Sequence, residues 1–549
     1  MNSALAAGLQ IGFVIFVLAI AYVPLGDYMA RVFTIVKHSL VERVIYRVGR
    51  VNPDTEQTWV GYALSLLGFS FASVIFLYLL QRIQGVLPLS GDLGAVSPAV
   101  AFNTAVSFVT NTNWQSYTPE TTMTNLTEMV GLAVQNFVSA AVGLAVAVAL
   151  IRGIVRTSSG GELGNFWVDL VRASLRILLP ISFLVALILL SQGTIQSLYT
   201  HFDATALDGT AQHIALAPVA SQEAIKEVGT NGGGILGANS AHPFENPTPL
   251  SNITEILAIL IIPVCLTRTY STMVGDKRQG LTVLAVMATL FAGVLAVVSW
   301  AEFSMEGKEV RFGIPGSVLF AVSTTGTSTG AVNSAHDSFS AAGGGALILN
   351  MLFGEIAPGG VGTGLYGILV LAIIAVFVGG LLVGRTPEFL GKKIGRRQIT
   401  MAALSVLVMP ALVLIGTGIS VALPSTPGYQ GNSGDPGTPQ SIHGFSEVLY
   451  AYASAANNNG SAFGGLTVTS HWFQASLGVA MLLGRFLPII FTLALAGSLA
   501  TQQKTPVSAG TLHTHGPMFA GLHTGTVLLV AALTFFPALA LGPIAEAVL

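Results

Sequence analysis

Charge is scarce in this chain. Asp, Glu, Lys and Arg make up 9% of its 549 residues, against 52% hydrophobic residues, and the mean hydropathy is +0.72. A water-soluble domain carries roughly 25% charged residues, so this composition excludes a soluble protein. Cysteine is all but missing. The single Cys265 lies inside an apolar stretch, which excludes a disulfide framework and a cysteine-based metal centre. No basic patch is interleaved with aromatics, and this removes nucleic acid as a partner. Phosphate-binding strings are missing too. There is no G-x-x-x-x-G-K-[ST], and Gly275-Asp276-Lys277-Arg278 is not the D-K-T-G string of phosphorylated pumps. No ATP site and no catalytic residue are expected on this chain.

What is abundant is apolar length. Ten stretches of about 20 residues, enough to cross ~30 Å of hydrocarbon as helix, lie near 6–26, 59–82, 127–151, 170–190, 251–274, 280–300, 345–384, 400–423, 471–499 and 519–540. The seventh is too long for one straight crossing and is interrupted by glycines. No small-residue cleavage site follows the first, so it is expected to remain as a helix rather than be removed as a signal peptide. Lysine and arginine set the orientation. Of the 23 such residues, 18 flank the ends of odd stretches and the starts of even ones. They are Arg31, Lys37, Arg43, Arg47 and Arg50; Arg152, Arg156, Arg172 and Arg176; Arg268, Lys277 and Arg278; Arg385, Lys392, Lys393, Arg396 and Arg397; and Lys504. The other face holds Arg82, Lys226, Lys308 and Arg311, and Arg485 falls in mid-stretch. Both termini are therefore expected on the outer side of the lipid bilayer.

Four outer loops carry short strings of Asn, Thr, Ser and Gly, each after a helix-sized run too short to cross. They read K-E-V-G-T-N-G-G-G from Lys226, V-S-F-V-T-N-T-N-W from Val106, V-S-T-T-G-T-S-T-G from Val322 and Y-A-S-A-A-N-N-N-G from Tyr452. Stacked in this way, Asn111, Thr112 and Asn113 face Asn231, Gly232 and Gly233, then Thr327, Ser328 and Thr329, then Asn457, Asn458 and Asn459, with Thr230 and Gly330 alongside. The order span, string, span occurs four times. The expected fold is an all-α polytopic membrane protein of ten transmembrane helices: four membrane–pore-loop–membrane repeats in a pseudo-fourfold arrangement, with one extra helix at each end. The units are 1–58 (first transmembrane helix and inner loop), the repeats 59–156, 157–278, 279–398 and 399–504, and 505–549 (last transmembrane helix). Residues 191–250 form the longest outer loop, and 424–443 read as a Pro/Gly linker.

Non-helical backbone at membrane depth is tolerated only where it lines a wet cavity or is buried in protein. Four strings around one axis would present a ring of carbonyl and amide oxygens, which is how a protein replaces the water shell of a monovalent cation. The re-entrant helices would aim their partially negative C-termini at that ring. None of the stacked positions is Asp or Glu. Neutral oxygens favour a large, weakly hydrated ion, potassium before sodium, and unequal strings suit one ion bound well and then handed on. Glu223, Glu227, Glu245, Asp337 and Glu447 are expected to line an outer vestibule that gathers cations.

A charge at the position of Arg485, near the middle of the ninth stretch, costs about 2.5–3.5 kcal/mol. It is either a fixed charge that stops open flow below the strings or half of a packing pair. Glu355 precedes Gly359, Gly360, Gly362 and Gly364, four glycines that hold a regular helix poorly. That segment is either a close helix contact or an unwound gate. The gate is favoured because the stretch is overlong and needs a break, with Glu355 a cation contact beside it. Gln115 is expected to orient the loop backbone through its amide, Asn239, His242 and His336 to brace the outer mouth, and Gly232 and Gly330 to hold backbone closed to other residues. Two signals are discounted. Gly326-Thr327-Ser328-Thr329-Gly330 matches G-x-S-x-G but lacks the strand and partners a hydrolase needs. His513, His515 and His523 have no cysteine or acid to complete a metal set.

Longer strings carry a family resemblance. T-N-T-N-W-Q-S from Thr110, G-T-N-G-G-G-I-L-G-A-N-S-A-H-P-F-E-N-P from Gly229, T-S-T-G-A-V-N-S-A-H-D-S from Thr327 and A-N-N-N-G-S-A-F from Ala456 resemble selectivity loops. They are similar to those of the potassium-binding A subunit of the Kdp-type potassium-transporting P-type ATPase. G-G-V-G-T-G-L-Y-G from Gly359 and G-R-T-P-E-F-L-G-K-K-I from Gly384 extend the likeness to nearly the whole chain. The resemblance implies a superfamily of potassium transporters and a place in a high-affinity uptake complex of the bacterial cytoplasmic (inner) membrane. It implies K+ as the transported ion, an ATP-hydrolysing B subunit, a single-span C subunit and a small F subunit as partners, and a sideways tunnel toward B. It implies that Gln115 sets affinity and supports Arg485 as the barrier. The residues alone leave open a stand-alone channel or a gradient-driven transporter of the same superfamily.

Overall fold

The computed structural model describes residues 3–548 apart from 158–159, 304–307, 309, 432–438 and 507–510. Among the described residues, ten helices are long and apolar enough to cross a membrane: Leu5–Thr34, Trp59–Val86, Thr127–Val155, Phe166–Gln192, Pro249–Val274, Lys277–Glu302, Thr363–Leu382, Arg396–Ala422, His471–Ala500 and Pro517–Leu541. They occupy the ten expected stretches. Their ends have local causes. Thr58 and Ser470 cap the second and ninth spans by accepting from Gly61 and Phe473 backbone N–H. Thr248 and Ser251 form a reciprocal cap on the fifth, and Gly275, at φ +82°, ends it.

Four shorter helices, Pro98–Val109, Val219–Val228, Gly313–Gly326 and Pro439–Asn457, precede the strings. At ~1.5 Å per residue the first three fall short of a bilayer. The seventh stretch breaks as its glycines require. Helix Ala341–Leu352 is followed by ten non-helical residues, and Thr363–Leu382 resumes the crossing.

The third span is central, with 89% of its apolar window buried inside the protein. The first, at 6%, lies at the periphery. The first span is fastened to the fifth by a bidentate pair, Arg268 Nε and Nη2 to Asp27 at 2.8 and 2.9 Å. Thr269 also donates to the carbonyl of Gly26, a residue that sits directly against the Arg268 stem.

The long loop at 191–250 holds a two-stranded hairpin, His201–Thr205 with Ala211–Ala215, that the all-α expectation omits. Its turn contains Asp208-Gly209, with Gly209 at φ +85°, a strong hairpin signal between alternating residues. Of the linker expected at 424–443, residues 432–438 lie outside the described residues, and helix begins again at Pro439.

Candidate ion-binding site

The four strings converge, and glycines let them do so. A methyl group on Gly460 would strike the carbonyl oxygen of Thr112. One on Gly330 would strike the carbonyl of Asn459, and one on Gly232 would lie 2.8 Å from that of Thr329. Gly233 stands in the same way 2.9 Å from the carbonyl of Asn113. The contacts close a cycle in the order first, fourth, third, second string. They also fix the register: Thr112, Asn231, Thr329 and Asn459 occupy one level. Backbone bonds agree, since Thr112, Asn231 and Asn459 each donate to a carbonyl five residues back, at Ser107, Lys226 and Ser454. Relative to strings three and four, the sequence stacking is therefore off by one residue in string one and by two in string two. The re-entrant helices end at different points, which equal spacing from a chosen start does not reveal. Asn111, Thr230 and Asn458 mark the equivalent turn, at φ +65°, +49° and +60°. Asparagine tolerates that conformation.

The asparagine side chains donate through Nδ2 to groups around the strings. Asn111 Nδ2 donates to the Thr230 carbonyl at 2.8 Å. Asn458 Nδ2 donates to Thr112 Oγ1 and to the Met481 carbonyl, both at 2.9 Å. Asn459 Nδ2 reaches the carbonyls of Thr324 and Thr327. Asn113 and Asn231 bind Asn136, at its side-chain oxygen and its carbonyl. Asn457 binds within its own helix, to the Ala453 carbonyl. Among the described residues no hydrogen bond is made to the carbonyl oxygens of Thr112, Asn231, Thr329 or Asn459.

Gln115 clamps two strings together. Its Nε2 donates to the Gly234 carbonyl at 2.8 Å, and its Oε1 accepts from Gly234 N–H at 3.0 Å. Gly330 lies at φ +79°, as expected of a position closed to other residues. Gly232 does not share that conformation; it is required for close approach, and its neighbour Gly233 takes φ +71°.

The glycine segment packs against the strings. Gly359 N–H donates to the Gly326 carbonyl at 2.9 Å, and Val361 N–H to Thr230 Oγ1 at 2.9 Å. Gly360 packs on Ser328, Gly362 on the Gly143 backbone of the third span, and Gly359 on Gly364. Every one of these contacts leaves no room for a Cβ. A cavity of about 120 Å³ opens beside it, lined among others by Ser328, Glu355, Tyr366, Asn457, Asn458 and Arg485. Arg485 is buried and donates from Nη2 to the Ser139 carbonyl at 3.0 Å. Glu355, at φ +49° and buried, faces the same cavity. The fold thus brings the strings, the non-helical glycine segment and Arg485 close together.

A family model described as KdpA, potassium-transporting ATPase A subunit, matches residues 12–548. The chain belongs to the KdpA family. It is 88% identical to the potassium-transporting ATPase potassium-binding subunit of Mycobacteroides abscessus over the full length of both chains. It is 76% identical to that of Rhodococcus erythropolis, again over both full lengths. The subunit of Streptomyces coelicolor is 56% identical, with 100% of this chain and 99% of that one covered. The potassium transporter TrkH of Vibrio parahaemolyticus has a similar fold, with a TM-score of 0.52 and 16% identity over 89% of this chain and 96% of that one. As a KdpA member with membrane-length apolar helices, the chain is a multi-pass membrane protein.

The expected acidic vestibule of this KdpA chain is largely absent. Glu223, Glu227, Glu245 and Glu447 are fully buried, and Asp337 is paired with His443. Three of these carboxylates surround buried Lys226: its Nζ lies 2.6 Å from Glu223, 3.6 Å from Glu227 and 3.6 Å from Glu245. An exposed vestibule would leave Lys226 buried without partners, at a cost of several kcal/mol. Of the bracing residues, Asn239 accepts from Lys226 Nζ at 3.1 Å, and His336 Nδ1 lies 2.7 Å from the Tyr450 hydroxyl in a buried contact. His242, only half buried, binds the Phe244 N–H locally. His523 is buried within the last span, away from the loop that holds His513 and His515. Sequence reasoning missed the roles of Lys226, Asn136, Ser139 and Gly143. The signal was there: polar Gln135, Asn136 and Ser139 interrupt the apolar run 129–151, and such residues mark function by default.

His443 ties the fourth re-entrant helix to the third repeat and to the tail. Its Nε2 lies 2.9 Å from Asp337 and its Nδ1 2.8 Å from Glu546. These two carboxylates push the imidazole up to about 10. The folded value is raised above the ordinary ~6.5, so the stabilisation is complete below about 6.5 and is lost as pH rises through about 10. The thermal midpoint of the purified complex is expected to fall over that window. His443→Gln should flatten the decline, and an unchanged slope in that variant would refute the assignment.

Proposed function

We propose that the four strings form the potassium-selective site of an ATP-driven, high-affinity K+ uptake complex. The supporting observation is the level of carbonyl oxygens at Thr112, Asn231, Thr329 and Asn459, closed into a cycle by glycine contacts and left without donors among the described residues. More than 90% of buried carbonyls are paired. A cation coordinated here would satisfy these, and neutral oxygens suit a weakly hydrated monovalent ion. The relatives' names point to the same ion. Arg485 below the ring would repel a second cation and stop open flow. The glycine segment would shut the direct route inward, leaving a sideways path to an ATP-hydrolysing B subunit. A single-span C subunit and a small F subunit would complete the assembly in the bacterial cytoplasmic membrane, with both termini of this chain outside. Family membership favours this over a stand-alone channel or a gradient-driven transporter.

The test is a potassium titration of ATP hydrolysis by the purified complex. Gln115→Arg places a charge in the cross-string clamp, and Gly232→Asp places a carboxylate against the Thr329 carbonyl. Either is expected to weaken apparent K+ affinity by about tenfold or more, ~1.4 kcal/mol, with the complex still assembled. Wild-type affinity in both would overturn the assignment. Arg485→Met is expected to leave half-saturation by K+ nearly unchanged while K+ moved per ATP falls. Uptake at wild-type coupling would remove the barrier role.

A further inference from the structure

The hairpin of the longest outer loop brings together three groups that the potassium site does not use. In its register Asp203 faces His213, and His201 lies two residues before Asp203. Residues two apart on a strand and directly opposite across an antiparallel pair share one face. The side chains meet there. His213 Nδ1 lies 2.6 Å and His201 Nε2 3.6 Å from Asp203 Oδ1, and one ligand atom from each of the three lies within 4.8 Å of the others. The two imidazole rings stand edge to face with centroids 5.8 Å apart. The Thr200 hydroxyl holds His201 Nδ1 at 3.1 Å. That contact leaves Nε2 free to face Asp203, the outer-shell orientation common around metal-bound histidines.

We infer that His201, Asp203 and His213 bind a divalent transition metal of the zinc class on the outer hairpin. Two imidazoles and one carboxylate are a borderline donor set that suits Zn2+, Cu2+ or Ni2+ and not K+, Mg2+ or Ca2+. All three side chains are half exposed or more, at 50%, 65% and 73%. Water therefore completes the coordination, and the metal enters without any opening of the fold. The site is placed to steady the loop. Leu216 N–H bonds to the Thr200 carbonyl and Ser197 N–H to the Ala217 carbonyl, so the hairpin base runs directly into the second re-entrant helix at Val219. A metal joining the two strands would stiffen the lead into that helix.

The test uses the whole complex, purified without a polyhistidine tag and titrated calorimetrically with Zn2+. Wild type is expected to bind one Zn2+ more than the His201→Ala/His213→Ala variant, and Asp203→Asn to weaken that site by about tenfold or more. Cu2+ added to wild type should give an electron paramagnetic signal with nitrogen coupling that the double variant lacks. The His513→Ala/His515→Ala variant, altered at the other paired histidines, should keep both signatures. The altered side chains on the hairpin are exposed, so K+-stimulated ATP hydrolysis without added metal is expected to stay at the wild-type level. Equal Zn2+ stoichiometry in wild type and the His201→Ala/His213→Ala variant, or a Cu2+ signal lost only with His513 and His515, would overturn the inference and leave the hairpin contacts as an ordinary ion pair.

Discussion

Replacing Gly460 by alanine is expected to abolish potassium-stimulated ATP hydrolysis at potassium concentrations that saturate the wild type. Gly460 lies at φ +106°, in backbone that costs other residues about 1–3 kcal/mol. Its added methyl would also strike the Thr112 carbonyl and lie 3.4 Å from Trp114 N. Thr112 has nowhere to go. Its N–H is bonded to Ser107, its hydroxyl lies 2.7 Å from that of Thr110, and it accepts from Asn458. Overpacking of this kind adds roughly 1–3 kcal/mol. The chain can relieve it only by parting strings one and four, which moves the proposed ligands. Gly464→Ala is the control, since a methyl there meets nothing within 4 Å. Its potassium dependence should match the wild type. A Gly460→Ala complex with wild-type affinity would refute the carbonyl ring.

Replacing Lys226 by methionine is expected to cost the fold about 3–5 kcal/mol, the usual penalty for breaking a buried ion pair from one side. Lys226 is fully buried and is the cation for Glu223, Glu227 and Glu245. Glu255, also fully buried, adds a fourth carboxylate beside Glu223 and Glu227. Without the ammonium these acids are left buried and uncompensated. Asn239 and Ser240, which accept from Nζ at 3.1 and 2.9 Å, lose their donor as well. The measurable results are a sharply lower yield of assembled complex and a lower thermal midpoint. Whatever assembles should bind K+ more weakly, because the Lys226 carbonyl anchors Asn231 of the second string. An unchanged midpoint would show that the cluster carries no such stress.

Much of the fold was legible because the bilayer imposes a length. Ten apolar runs became ten spans, and Gly359, Gly360, Gly362 and Gly364 broke the seventh where no regular helix could hold. The site was legible as strings and not as a site. Asn111, Asn231 and Asn458 stood out because amides can coordinate cations, and what the strings could not show is that their Nδ2 groups donate to neighbouring backbone. Glu223 and Glu227 looked solvent-facing because acids usually are. Their spacing around Lys226, three and one residues away on a helix, was compatible with a buried cluster, but burial is not written in spacing. The hairpin was missed although His201-Phe202-Asp203 and Gln212-His213-Ile214 flank an Asp-Gly turn.

The sequence by itself determined the solvent of this protein, the number of its crossings, the fourfold repetition and the neutral chemistry of its strings. Those follow from hydropathy, length and residue type, which are local properties. Tertiary structure alone decided which string residues share a level, which of their carbonyls have no donor among the described residues, and that Arg485 and the glycine segment pack close to them. Those depend on how four re-entrant helices of unequal length pack around one axis, and only contacts between distant segments set that packing.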